Sequence, residues 1–141
     1  MILVVGATGS LGGRIARGLL EQGKEVRVFV RHNPISAAMA EQGLANTPES
    51  LIEAGAQPVW GDLKDRASIE AAVAGVDTVI STANAVKRGG EDTLETVDLQ
   101  GTLALIDAAR QAGVRRVIYT SSVVVYGLDG SPTNAPLPES T

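Results

Sequence analysis

Ile2-Leu3-Val4-Val5-Gly6-Ala7-Thr8-Gly9-Ser10-Leu11-Gly12 is the stretch from which the rest of the chain is read. Ile2 to Val5 are consecutive apolar residues, the pattern of a short strand buried on both faces. A glycine follows at once, and glycines recur at 6, 9 and 12. From Gly9 to Gln22 the period becomes helical: Leu11, Ile15, Leu19 and Leu20 share a face, and Gly23 is a helix stop. Strand, glycine turn and helix in that order suit a phosphate group. Gly6 permits the tight exit from the strand. Gly9 lets a pyrophosphate approach the backbone with no Cβ in the way, and Gly12 lets the helix lie close to the strand. The helix N-terminus then offers free N–H groups and the positive end of its dipole. The competing reading is a glycine turn that serves packing alone. The loop's place at the first turn of a βαβ unit favours dinucleotide binding over that reading. A Walker-type loop is excluded, because no Gly-Lys-Ser or Gly-Lys-Thr follows.

Outward from this loop, strands and helices alternate. Val26–Val30 is a β-branched second strand. Pro34 and Pro48 punctuate the next stretch, with a short helix expected over Ser36–Gln42 and another starting at Pro48-Glu49-Ser50 and stopping at Gly55. Gln57–Trp60 reads as the third strand, Asp65–Ala74 as an alanine-rich helix, and Val76–Thr82 as the fourth strand. Asp92–Ala112 reads as one long helix with two apolar stripes (Leu94, Val97, Leu99, Leu103, Leu105, Ile106), ended by Gly113. Val117-Ile118-Tyr119 is the fifth strand. Such alternation predicts an α/β fold, a doubly wound parallel sheet of the Rossmann type with right-handed crossovers and strand order 3-2-1-4-5. Ligands of such sheets bind beyond the strand carboxyl ends, where strands one and four part.

Composition narrows the chemistry. The 141 residues suit one domain. Aromatic residues make up 3% of the chain, so the core must be aliphatic. With no cysteine, disulfides, thiolate-bound zinc and thiol nucleophiles are excluded. His32 is the only histidine, so no metal site is expected. A net charge of −4 disfavours nucleic-acid binding. No apolar run approaches the roughly 20 residues of a membrane span. No basic leader precedes the first apolar run, so a cytoplasmic protein with no secretory signal is expected.

The loop Gly6-Ala7-Thr8-Gly9-Ser10-Leu11-Gly12 resembles the cofactor loop of the short-chain dehydrogenase/reductase superfamily, in its extended and atypical (NmrA-like) branches. Gly61-Asp62-Leu63, Gly75-Val76-Asp77 and the run from Gly113 to Arg116 and on to Thr120-Ser121-Ser122 follow that superfamily's order. The resemblance covers nearly the whole chain. It implies NAD(P) as cofactor, bound through Gly6, Thr8, Gly9, Ser10, Leu11 and Gly12. It implies that Asp62 bonds the adenine amino group, that Leu63 lines the adenine pocket, and that Ser81, Thr82 and Ala83 face the ribose and nicotinamide. The residues alone leave alternatives: Asp62 as the cap of the helix ahead of Lys64–Ala74, and Ser81-Thr82-Ala83-Asn84 as an ordinary polar strand exit.

Electrostatics bear on the choice of dinucleotide. An acid after strand two accepts bonds from the ribose hydroxyls and repels a 2′-phosphate, whereas an arginine binds it. Val30 is followed by Arg31 and His32 with no acid nearby, so NADP is expected, NAD being the second choice. Arg14 is an expected helper; the competing reading of Arg31 is a solvated surface arginine.

For catalysis, the resemblance implies a tyrosine donor with a lysine four residues on, assisted by a serine. Ser122 matches that serine within Ser121-Ser122-Val123-Val124-Val125-Tyr126-Gly127. A capped strand end is the plain reading of Ser122. Tyr126 is not the expected donor, since position 130 is Gly130, and no Tyr-x-x-x-Lys occurs in the chain. Asp98 stands where the extended branch has an asparagine, and Ile80-Ser81-Thr82-Ala83 also departs from that branch; both favour the atypical side, whereas the Ser121–Gly127 run resembles the extended branch, and both branches stay open.

The expectation is therefore a dinucleotide-binding domain over residues 1–126, then a proline-rich loop over 127–141 that leads to a catalytic and substrate-binding part not present here. The chain would be cut before strand six, with the edge of strand five exposed. The expected function is the NADP(H)-binding domain of an oxidoreductase acting on a carbonyl or enone, the 141 residues alone turning over little substrate. The alternatives are a non-catalytic NAD(P) sensor and a nucleotide-sugar epimerase or dehydratase. Expected partners are the dinucleotide, a small-molecule substrate and, as an option, a second copy in a homodimer.

Overall fold

The computed structural model describes residues 1–31, 41–43, 46–83 and 94–121. Its strands are β1 (Ile2–Val5), β2 (Val26–Val30), β3 (Gln57–Trp60), β4 (Thr78–Ser81) and β5 (Arg116–Tyr119). They form one sheet in the order β3-β2-β1-β4-β5, with every pairing parallel. The expected doubly wound order is the observed one. Its register sets Val5 beside Phe29 and Ser81, and Val30 beside Trp60. The carboxyl ends of β1 to β4 thus lie level, along one rim of the sheet.

Parallel strands need cover on both faces. Helices α1 (Ser10–Glu21) and α2 (Pro48–Glu53) lie on one side. There Val4, Val28, Val30, Leu51 and Ala16 form one core cluster, with Ile15, Leu19 and Leu20 packed against it. Leu11 was expected on that same stripe, but it is exposed, because the first turn of α1 projects past the strand ends. Helices α3 (Arg66–Val73) and α4 (Thr102–Gln111) cover the other side. Leu3, Val5, Ile69, Val79, Val97 and Leu105 form the second cluster. Alternation along β1 sends Leu3 to one cluster and Val4 to the other, as strand geometry requires.

The single long helix expected over Asp92–Ala112 is not what forms. Leu94–Gly101 winds as a π-helix and only Thr102–Gln111 is α-helical. Bonds from i to i+5 widen the turn, so a 3.6-residue period no longer reports which side chains share a face. Val97 and Leu105 are buried, while Leu99, Leu103 and Ile106 face solvent. The expected helix over Ser36–Gln42 lies, except for its last two residues, outside the described residues.

β5 contrasts with its neighbours. All of its residues are exposed, including Val117, Ile118 and Tyr119. Among the described residues it pairs with β4 alone. No helix among the described residues is long and apolar enough to cross a membrane.

Candidate dinucleotide site

The end of β1 is shaped by close contacts. Gly6 has φ +87, in the left-handed region. A Cβ there would lie 2.6 Å from Thr82 Oγ1 and 2.8 Å from the Ala83 nitrogen. A Cβ on Gly12 would overlap the Gly6 carbonyl. These two glycines are required by the protein's own packing. Gly9 is different: its φ is an ordinary −74. A Cβ there would meet one protein atom, the Gly6 oxygen at 3.3 Å. Gly9 is exposed, and it caps α1 without any side-chain hydrogen bond. No acid sits in the first turn of α1. The N–H groups and dipole of that helix start are therefore offered outward, to whatever anion approaches.

Beside this helix start an open cleft runs along the strand ends. Gly6, Thr8, Arg31, Asp62, Leu63 and Ala83 line it, drawn from the ends of β1, β2, β3 and β4. The sequence nominated all six. Ser10 and Leu11 are exposed on the first turn of α1, next to Gly9. Thr82 and Ser81 do not line the cleft. The Thr82 hydroxyl donates to the carbonyls of Val5 and Gly6 (3.3 Å each), tying β4 to the exit of β1. Ser81 is buried in β4. Its carbonyl accepts from the Thr120 N–H (3.0 Å) and hydroxyl (3.2 Å). Arg14 is exposed on α1. Ser122, Tyr126, Asn84 and His32 lie outside the described residues.

Arg31 and Asp62 face each other across the cleft, Nη1 to Oδ2 at 3.4 Å, with Lys64 Nζ at 3.9 Å from the same oxygen. The other oxygen of Asp62 accepts from the Lys64 N–H at 2.8 Å. Asp62 is not the cap of the following helix. Asp65 has that role, accepting from the Ala67 N–H at 3.2 Å. Asp62 instead closes the turn after β3 and holds its carboxylate at the cleft.

Further residues complete the site without having been singled out. Val5, Phe29, Val30 and Val97 give the cleft an apolar wall. Gly61 also lines it, and a Cβ there would lie 2.6 Å from a ring carbon of Phe29. The glycine placed directly after Trp60 was a usable signal for that crowding. Val97 arrives through the π-helix, and Gly101 of the same segment seats against the Leu63 side chain. An apolar slot with an acid, an arginine and a helix N-terminus at its ends fits an adenine nucleotide. Chemically, such a slot can take a flat ring, the acid can accept from an amino group, and the helix start can receive an anion. Among the described residues no cluster of His, Asp or Glu fit to hold a metal occurs.

The model of the NmrA-like family matches residues 1–135. Sterol demethylase protein B of Methylococcus capsulatus is 40% identical over 129 residues, covering 90% of this chain and 36% of that protein. A short-chain dehydrogenase/reductase superfamily protein from Agrobacterium tumefaciens with bound NAD is 30% identical with a TM-score of 0.66. That match covers 90% of this chain and 34% of the other. AtPrR2, solved with NADP+ and (+)pinoresinol, is 32% identical with a TM-score of 0.61, covering 82% of this chain and 34% of the other. The chain spans about a third of the length of the curated relatives it matches.

Proposed function

The chain belongs to the NmrA-like family, within the NAD(P)-binding short-chain dehydrogenase/reductase superfamily, and on that premise we propose that it is the NADP(H)-binding part of an oxidoreductase. The observation that carries the reading is the cleft at the ends of β1 to β4, with Arg31 beside β2 and no acid in the residue that follows the strand. Gly9 and the start of α1 hold the pyrophosphate. Leu63 and Phe29 flank the adenine, and Asp62 accepts from its amino group. The Arg31 guanidinium binds the 2′-phosphate. Asp62 keeps that guanidinium at the cleft before any phosphate arrives. In the complex, the phosphate competes with the carboxylate for the same donors.

When bound, the nicotinamide supplies or takes the hydride. The described residues bind and orient; none of them is placed as a proton donor. Ser122 is the donor-assisting serine in this reading. The substrate is a small molecule with a carbonyl or enone, the class that hydride transfer requires. The name of one relative, a 3-beta-hydroxysteroid dehydrogenase of Mycolicibacterium neoaurum, supports a hydroxyl–carbonyl interconversion.

The test is the pair of dissociation constants for NADPH and NADH, measured for wild type and for Arg31→Ala. The reading expects wild type to prefer NADPH by about tenfold or more, as a charge-assisted phosphate contact implies. Arg31→Ala then loses most of that preference while NADH affinity changes little. Equal discrimination in wild type and variant contradicts it.

A further inference from the structure

Asn46 does not line the cleft, yet it grips the glycine loop from behind. Its backbone N–H donates to the Thr8 carbonyl at 2.8 Å. Its side-chain amide donates to the Gly9 carbonyl at 3.3 Å. The amide oxygen is held in turn by Arg17, through Nε and Nη2, each at 3.3 Å. Arg17 Nη2 also donates to Ser50 Oγ at 3.1 Å, and that hydroxyl donates to the Thr47 carbonyl at 2.9 Å. The start of α2 and the second turn of α1 are thereby joined through one asparagine.

Gly13 makes room for it. A Cβ on Gly13 would overlap the Asn46 amide nitrogen, although Gly13 sits in ordinary helix. This glycine lies beyond the 6-9-12 spacing, and phosphate approach does not account for it. It is needed for the asparagine.

From these contacts we propose that Asn46 is a positioning residue for the phosphate-binding loop. A trans peptide points its C=O and the following N–H in opposite directions. Asn46 and the Gly13 N–H both hold the Gly9 carbonyl on the far side of the loop, the latter at 2.9 Å. The Ser10 N–H is then turned outward, away from Asn46. Asn46 also keeps the Thr8 oxygen off the cleft side. An anion approaching the loop meets N–H groups, not carbonyl oxygens, before it binds. The asparagine makes no contact with the ligand; it removes the cost of turning the loop's peptides on binding. The proposal rests on the dinucleotide reading above and adds a residue to it.

The test compares NADPH, ADP and adenosine as ligands of the chain, by calorimetry, for wild type, Asn46→Ala and Gly13→Ala. Adenosine shares the base and sugar but has no phosphate for the loop. With one loop hydrogen bond lost and a neighbouring one loosened, Asn46→Ala raises the dissociation constants of NADPH and ADP by about tenfold. Adenosine moves less than twofold. Gly13→Ala, which expels the amide from the opposite side, repeats that pattern wherever it folds. Amide exchange without ligand gives the second readout: Gly9 and Gly13 lose protection in Asn46→Ala, while β1 and β2 keep theirs. Wild-type binding of NADPH that Asn46→Ala leaves unchanged overturns the positioning role alone. An equal loss for adenosine and ADP overturns it as well, since that is a general structural effect. A wild-type chain that binds neither NADPH nor ADP overturns the dinucleotide reading, and the positioning role with it.

Discussion

Gly12 and Gly9 sit three residues apart in one loop, and the protein treats them oppositely. At Gly12 a side chain would run into the backbone of Gly6 and the Thr82 hydroxyl; at Gly9 it would meet the Gly6 oxygen alone, at 3.3 Å. The loop's ends are fixed by the fold, whereas its middle is kept open for something outside the fold. The same contrast appears at larger scale. Near the loop, Val5, Phe29 and Val30 are buried and framed by both helix layers, while β5, two strands away from β1, is exposed along its length. Shape and burial are concentrated where the cleft is.

The contrast is broken most sharply by substitution at its tight end. Gly12→Ala sets a methyl against backbone that cannot rotate away, so α1 must lift from β1. Overpacking of this kind costs about 3 kcal/mol, roughly 10 °C in Tm for a domain of this size. A thermal melt within 2 °C of wild type, taken as about the scatter of surface changes, contradicts the packing role. Gly9→Ala sharpens the contrast from the other side. Its backbone angle is open to alanine, and the fold loses about 1 kcal/mol at most, from the weaker cap. The affinity for NADPH falls by about tenfold or more, because the methyl stands where the pyrophosphate must approach. Calorimetry beside a melt separates the two effects. Loss of stability with intact affinity would place Gly9 with Gly12.

The smallest effect is expected far from the loop, on the surface between α3 and α4. Arg66 Nη2 lies 2.9 Å from Asp107 and Arg110 lies 3.2 Å from it. The hydrogen bond from Arg66, then that from Arg110, holds the Asp107 carboxyl below its ordinary value. A carboxylate lowered in the folded state stabilises it above the unfolded value of about 3.9, and that contribution is lost as the pH falls through the lowered one. Exposed pairs contribute little. Asp107→Asn therefore lowers Tm by about 1–2 °C at neutral pH, and the difference closes in acid. NADPH affinity stays at the wild-type value, which makes the variant a control for the loop substitutions.

Much of this was legible in the sequence, for identifiable reasons. The glycine loop and the strand–helix alternation imply the strand order, because right-handed crossovers leave few other arrangements. Of the six cleft residues, Gly6 and Arg31 were legible because each directly follows a strand, where a parallel sheet gathers its ligand groups, whereas Thr8, Asp62, Leu63 and Ala83 were legible through the family resemblance. Other features were not. The π-helix sends Leu99 to solvent while Val97 is buried, a difference that a 3.6-residue period does not report. The cap at Asp65, in place of Asp62, depends on where the turn after β3 closes. Asn46 depends on a chain segment folding back over a loop 37 residues earlier, and no local pattern encodes that contact. Gly13 was the available signal, a glycine in a helix with no turn to make. Ser122 stays a proposal, since it lies outside the described residues.

The central claim is that a dinucleotide binds along the ends of β1 to β4. It is met most directly by titrating the isotope-labelled chain with NADPH and following backbone amide shifts. Saturable shifts concentrated at Gly6, Thr8, Gly9, Ser10, Arg31, Asp62 and Leu63, with Arg116–Tyr119 unmoved, are the predicted result. Shifts centred on β5, or no saturable shift at all, contradict it.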